Sequence, residues 1–157
     1  MTRLRIFVDS NIVVGAMVQG WALDMAVLSV CTLGICILVL DEAVRLAVED
    51  ALLAKVDSLP KGESDRILGS YEKFIRLAKA ETVAFPEEGE ILANRRLIRH
   101  GHDVPVLLSA IKCRPDWLLT KNTEHFTREV ARITRLPIST PWQFLATCLV
   151  TPFRHNS

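Results

Sequence analysis

Asp9 stands directly behind the apolar run of residues 4–8, in the stretch RIFVDSNIVVGA, with Asn11 two residues on. Far along the chain Asp103 precedes the apolar segment VPVLLSAIKC, and Thr120, Asn122 and Glu124 close or follow the apolar run WLLT. Carboxylate and amide oxygens of this kind suit Mg²⁺ or Mn²⁺, hard cations that take carboxylates and water. A cation so held lowers the pKa of bound water and steadies charge growing on a phosphodiester. Each residue also has a plainer duty. Asp9 and Asp103 occupy places where N-cap or first-turn carboxylates belong, and Thr120 and Asn122 can simply build a turn.

Whether these groups meet depends on the elements that carry them. Residues 4–8 and the continuously apolar ICILVL, 35–40, read as strands, the second of the kind buried on both faces of a parallel sheet. A helix starts near Asn11, and a second spans about 21–33 with Gly34 as its stop. Asp41 caps the next helix, where Val44, Val48, Leu52 and Val56 recur at helical spacing. SLPKGESD, 58–65, is a loop, followed by a helix over about 64–79 carrying Ile67, Tyr71, Phe74, Ile75 and Leu77. ETVAFP, 81–86, reads as a strand ended by proline, and a helix near 87–99 ends in basic residues. DVPVLLSAIKC is helical, with Pro105 in its first turn. WLLT is a strand, KNTEHF a loop, residues 136–138 a small last strand, and residues 140–150 a terminal helix ahead of a frayed tail, 151–157. Strands alternating with helices make an α/β domain with a parallel sheet. Ligand sites in such sheets lie at the carboxyl ends of the strands, which puts Asp9 and Asn122 on one edge.

The chain of 157 residues fits a single domain, residues 1–150, able to bury a real core. Its formal charge of +1 gives no overall pull toward nucleic acid or membrane, so any such attraction is local. Cys31, Cys36, Cys113 and Cys148 have no C-x-x-C spacing and read as reduced, buried hydrophobes of a cytoplasmic protein. The N-terminus lacks a signal-peptide pattern. The uncharged run of residues 25–40 is short for a bilayer core of about 30 Å and is broken by Gly34, so it reads as a helix followed by a strand.

The order FVDSNIVVGA, HDVPVLLSAIKCRPDWLLTKNTEHF and PISTPWQFLA resembles the PIN domain family, in particular the bacterial branch that includes toxins of toxin–antitoxin pairs. The resemblance runs over roughly residues 4–148 and is most specific in the middle segment, with its acid, small-residue helix, apolar strand and T-x-N-x-x-H-F. It implies a three-layer domain whose central sheet of four or five parallel strands is flanked by helices. It also implies a metal-dependent ribonuclease site using Mg²⁺ or Mn²⁺. The family acids map onto Asp9 and Asp103, the polar position after the strand onto Asn122, and the threonine of that motif onto Thr120. Single-stranded RNA, an antitoxin peptide and a second copy of the chain are the implied partners.

One position departs from the pattern. Relatives carry a glutamate on the helix after the second strand, and Ala47 stands there. Glu49 lies about 200° around the helix from it, whereas Asp50 lies near the same face one turn along and is the candidate replacement ligand. Arg95, Arg96, Arg99 and Lys121 are the candidates for gripping RNA phosphates, the alternative being a solvated basic face. His102 and His125 flank the site without an assigned role. Two functions stay open: a metal-dependent endoribonuclease, or a PIN scaffold that has lost a ligand and binds RNA or protein. A small-molecule α/β enzyme is disfavoured, since neither a Gly-rich phosphate loop nor a nucleophile elbow occurs.

Overall fold

The computed structural model describes residues 2–150. Five short strands, β1 (Arg5–Val8), β2 (Ile37–Asp41), β3 (Glu81–Val83), β4 (Trp117–Leu119) and β5 (Ile138–Ser139), form one sheet in the order β3-β2-β1-β4-β5. Every pairing is parallel. Among the described residues eight helices flank the sheet: α1 (Ser10–Val14), α2 (Ala22–Thr32), α3 (Glu42–Val56), α4 (Lys61–Ala78), α5 (Glu88–Ala93), α6 (Val104–Cys113), α7 (Arg128–Thr134) and α8 (Pro141–Val150). The result is the three-layer α/β arrangement that alternating elements require.

Residue type explains the strands. Ile6, Phe7, Val8, Leu38 and Val39 are fully buried in consecutive positions, possible only where helices cover both faces. Each such side chain contributes about 1.5–3 kcal/mol of burial. β3 is an edge strand with exposed Glu81, whose carboxylate takes the Arg5 guanidinium at 2.7 Å and ties the edge to β1. Strand β2 begins two residues later than the apolar run 35–40. Ile35 is 60% exposed, and the left-handed Gly34 (φ 74°) is still turning the chain.

Other boundaries moved for local reasons. α1 passes into a π-helical turn over Gly15–Gln19 and stops at left-handed Gly20 (φ 63°), where the path bends 109° into α2. Among the described residues no single helix is long and apolar enough to cross a membrane. α4 begins at Lys61, behind Pro60, taking in residues the composition assigns to a loop. The expected helix near 87–99 is only α5, because Asn94 ends it and residues 94–100 run as turns, so Arg95, Arg96 and Arg99 sit on irregular backbone. α7 is an unforeseen helix. Thr127 caps it by accepting the Val130 N–H, and it buries only Val130, too little for an apolar period to stand out. The four cysteines are free; Cys31 and Cys36 are buried as expected, but Cys113 is half-buried and Cys148 exposed, so the expectation of four buried thiols holds for two. The expected frayed tail, 151–157, lies outside the described residues.

Candidate functional site

The parallel register sets Asp9 beside Asp41 on one side and Thr120 on the other, in a row along the carboxyl edge of the sheet. Asp9 donates its backbone N–H to the Leu119 carbonyl at 2.9 Å, continuing the β1–β4 ladder by one bond. Its side chain is enclosed, the residue being 8% exposed. Oδ1 accepts the Ser10 N–H at 2.7 Å, and Oδ2 accepts the Thr120 hydroxyl at 2.7 Å and the Asn11 amide at 3.2 Å. Burial pushes the Asp9 carboxyl above the usual carboxylate range, the charge of Asp103 adds to the rise, and the bonds from Thr120 and Ser10 pull it partway back. The charge on Asp103 therefore reaches Asp9, although 94 positions separate them in sequence.

Thr120 is fully buried and links the two loops. Besides donating to Asp9, its oxygen accepts the Asn122 N–H at 3.1 Å and the Asn11 amide at 3.3 Å. Asn11 Oδ1 accepts the Lys121 N–H at 3.2 Å. Asn122 Oδ1 accepts the His125 N–H at 3.3 Å, so Thr120 and Asn122 do build a turn as well as lie at the edge. Asp9 keeps its plainer duty of capping α1.

Asp103 does not cap. It precedes α6 on a 3₁₀ turn (Gly101–Asp103), yet its carboxylate makes no bond to the helix backbone. It is turned to the loop after β4 instead, where Oδ2 accepts the His125 Nδ1–H at 2.6 Å, and His102 Nε2 lies 3.7 Å from Oδ1. The His100 ring stacks on His125 with centroids 3.4 Å apart and planes within 16°. These imidazoles are the part of the site that residue-by-residue reading leaves without a role. The only signal for them is that three of the chain's four histidines fall within 26 positions.

Helix α3 bears on the departure at Ala47. Val44, Val48 and Leu52 face the core, while Ala47 and Asp50 are both exposed. Glu49 is engaged elsewhere: its Oε1 accepts from Arg45 at 3.0 Å and from the Tyr71 hydroxyl of α4 at 3.1 Å. Asp41 is fully buried and caps α3 through Oδ1, as its position implies. Burial pushes its carboxyl up as well.

The basic candidates divide. Arg95, Arg96 and Arg99 are exposed and form no ion pair among the described residues. Lys121 does not point freely outward. Its ammonium is 2.5 Å from Asp24 Oδ2 and 5.5 Å from the Trp21 ring centroid. Asp24 is 1% exposed in α2 and gave no sign in the sequence that it would receive a lysine 97 positions away. Gly15 makes room for the pair, since a Cβ there would collide with both the carboxylate and the ammonium.

The residues of the acidic edge fit a hard divalent cation by their chemistry. The charge of Asp103 acts against that of Asp9, which is buried where desolvation already opposes it. A cation would relieve both. Asn11, Thr120 and Asn122 already have protein partners that hold them in place.

No family model matches the chain, and no curated protein matches its sequence. Solved structures do match its fold. The crystal structure of VapBC2 from Rickettsia felis, bound to a DNA fragment from its promoter, aligns at TM-score 0.58 and 17% identity over 87% of this chain and 98% of that one. PAE2754 from Pyrobaculum aerophilum aligns at 0.59 and 10% identity over 96% and 100%, and FitAcB from Neisseria gonorrhoeae at 0.52 and 16% over 87% and 98%. At such identities the likeness speaks for the fold. The chain thus has a PIN-like fold, expected from its three quoted segments and shared nearly end to end with these structures.

Proposed function

We propose that this protein is a metal-dependent endoribonuclease acting on single-stranded RNA, the toxin component of a toxin–antitoxin pair. One observation supports the reading: Asp103 makes no bond to the backbone of α6, and its charge is felt at the buried Asp9 carboxyl at the sheet edge.

In this reading Asp9 and Asp103 hold Mg²⁺ or Mn²⁺, with Asn122 completing the set and Asp50 the acid that α3 can offer. When bound, the cation supplies a water acidified enough to attack a phosphodiester in line. The protein's own share is positioning. Thr120 fixes Asp9 Oδ2 and the Asn122 backbone through one oxygen, so the β1 and β4 loops move as a unit. Burial of Asp9 removes competing water and strengthens its pull on a cation. Arg95, Arg96 and Arg99 supply salt-sensitive phosphate contacts. Lys121 steadies the loop through Asp24 and contributes less to RNA than its charge suggests. The likeness to VapBC2 and FitAcB is the ground for an antitoxin peptide as partner, and the sequence resemblance the ground for a homodimer in the cytoplasm.

A second reading has its own observation. Ala47 is exposed and Glu49 is committed to Tyr71 and Arg45, so α3 offers no glutamate to the edge and the scaffold serves as a binding module. Cleavage of a mixed single-stranded RNA in Mn²⁺ separates the two, using wild type, Asp9→Asn and Ala47→Glu. The nuclease reading expects wild-type cleavage reduced at least a hundredfold in Asp9→Asn. Activity only in Ala47→Glu selects the degraded scaffold, and silence from all three removes catalysis altogether.

A further inference from the structure

We propose that His102, Asp103 and His125 form a binding site for a first-row transition cation of the Zn²⁺ class, distinct in ligand chemistry from the all-oxygen edge around Asp9. One donor atom from each of the three residues lies within 4.8 Å of the other two. Tetrahedral ligands at about 2.1 Å from a zinc ion sit about 3.4 Å from one another. The two histidines address different oxygens of the carboxylate, His125 Nδ1 at 2.6 Å from Oδ2 in a hydrogen bond that the ion would replace, and His102 Nε2 at 3.7 Å from Oδ1.

The Asp103 and His125 side chains are 15% and 20% exposed and bonded to each other, while the His102 side chain is 76% exposed. His100 covers one face of the His125 ring and fixes its plane. Three protein ligands leave a fourth position for water, the pattern of an open zinc site. Imidazole nitrogen favours Zn²⁺, Cu²⁺ or Ni²⁺, whereas Mg²⁺ prefers oxygen, so the two cation classes sort by ligand.

Asp103 belongs to both groups. A transition ion seated on the histidines takes Asp103 away from Asp9, so the two kinds of cation compete for one carboxylate. The site itself does not require that RNA be cut. It shares only Asp103 with the nuclease reading.

The test is a titration of metal-free protein with Co²⁺, followed by its visible absorption, and with Zn²⁺ against a chelating dye. Wild type, Asp9→Asn, His102→Ala and His102→Ala/His125→Ala are compared, with circular dichroism verifying the fold. We expect one equivalent bound by wild type, binding retained in Asp9→Asn, and a loss of at least tenfold in His102→Ala. The double variant should lose more. Should His125→Ala unfold the loop, the exposed His102 alone still decides the matter. No wild-type binding, full binding by His102→Ala, or loss of binding in Asp9→Asn would each overturn the proposal, the last by placing the ion at the acidic edge. Absent RNA cleavage with intact Zn²⁺ binding would count against the nuclease reading alone.

Discussion

Asp9 is pulled in two directions by its surroundings. Desolvation at 8% exposure favours its neutral form, and three donors on its oxygens favour the charged one, with burial the larger effect. The folded state therefore holds this proton more tightly than the unfolded chain does. Stability from this group is full below the ordinary carboxylate range and is lost as pH rises through that range toward the raised folded value. Asn at position 9 keeps the size and the capping oxygen without the charge. In metal-free buffer, urea unfolding should find Asp9→Asn more stable than wild type by about 1 kcal/mol at pH 7, a gain that shrinks as pH falls into the carboxylate range. Saturating Mn²⁺ should reverse the order, because a cation bound only by the folded wild type stabilises it by mass action. A variant less stable at every pH would mean that the Thr120 and Asn11 bonds to Oδ2, where asparagine presents a donor, outweigh burial.

Between elements, the connection least visible in advance is the one from the β4 loop to α2. Asp24 is enclosed, Lys121 answers it, and Gly15, at the start of the π-helical turn, leaves the space. Removing the ammonium leaves a buried carboxylate unpaired. The lysine is itself about one-third exposed, so the loss is below that of a fully buried pair. Lys121→Ala is expected to destabilise by about 2 kcal/mol in denaturant melts, and Asp24→Asn in the same chain to recover about half. Gly15→Ala should cost at least as much through collision, a result that simple helix propensity, which favours alanine over glycine, predicts with the opposite sign. If Gly15→Ala proves neutral, the pair has room to move and Lys121 is available to RNA after all.

For the molecule as a whole, the sheet order β3-β2-β1-β4-β5 puts the buried β1 at the centre and its C-terminal Asp9 between loops from both halves of the chain. The outer surface keeps large apolar groups exposed, among them Leu33 (75%), Trp142 (64%) and Trp21 (58%). Singly exposed apolar residues are ordinary, and the dimer is an expectation of the resemblance that these residues put to a test. Sedimentation at micromolar concentration should give twice the chain mass for wild type and a shift toward monomer for Trp142→Glu. A monomeric wild type would remove self-association from the reading.

The strands were legible where apolar runs were continuous, as in residues 4–8 and 35–40, because burial on both faces leaves no other composition possible. Caps at Asp41 and the candidate edge residues Asp9, Thr120 and Asn122 could be placed from position alone, since strand ends in a parallel sheet share an edge. α7 was not legible, having one buried residue and a cap of common type. Nor were the partners of Asp24 and Asp103, because a carboxylate's sequence neighbours do not say which distant loop will reach it. Local pattern, set by burial and backbone preference, determined the α/β alternation and which residues stand at strand ends. Only the tertiary structure decided that Asp103 meets His125 rather than its own helix and that Lys121 turns inward, because those choices depend on charges and rings brought together across about a hundred residues or between separate loops.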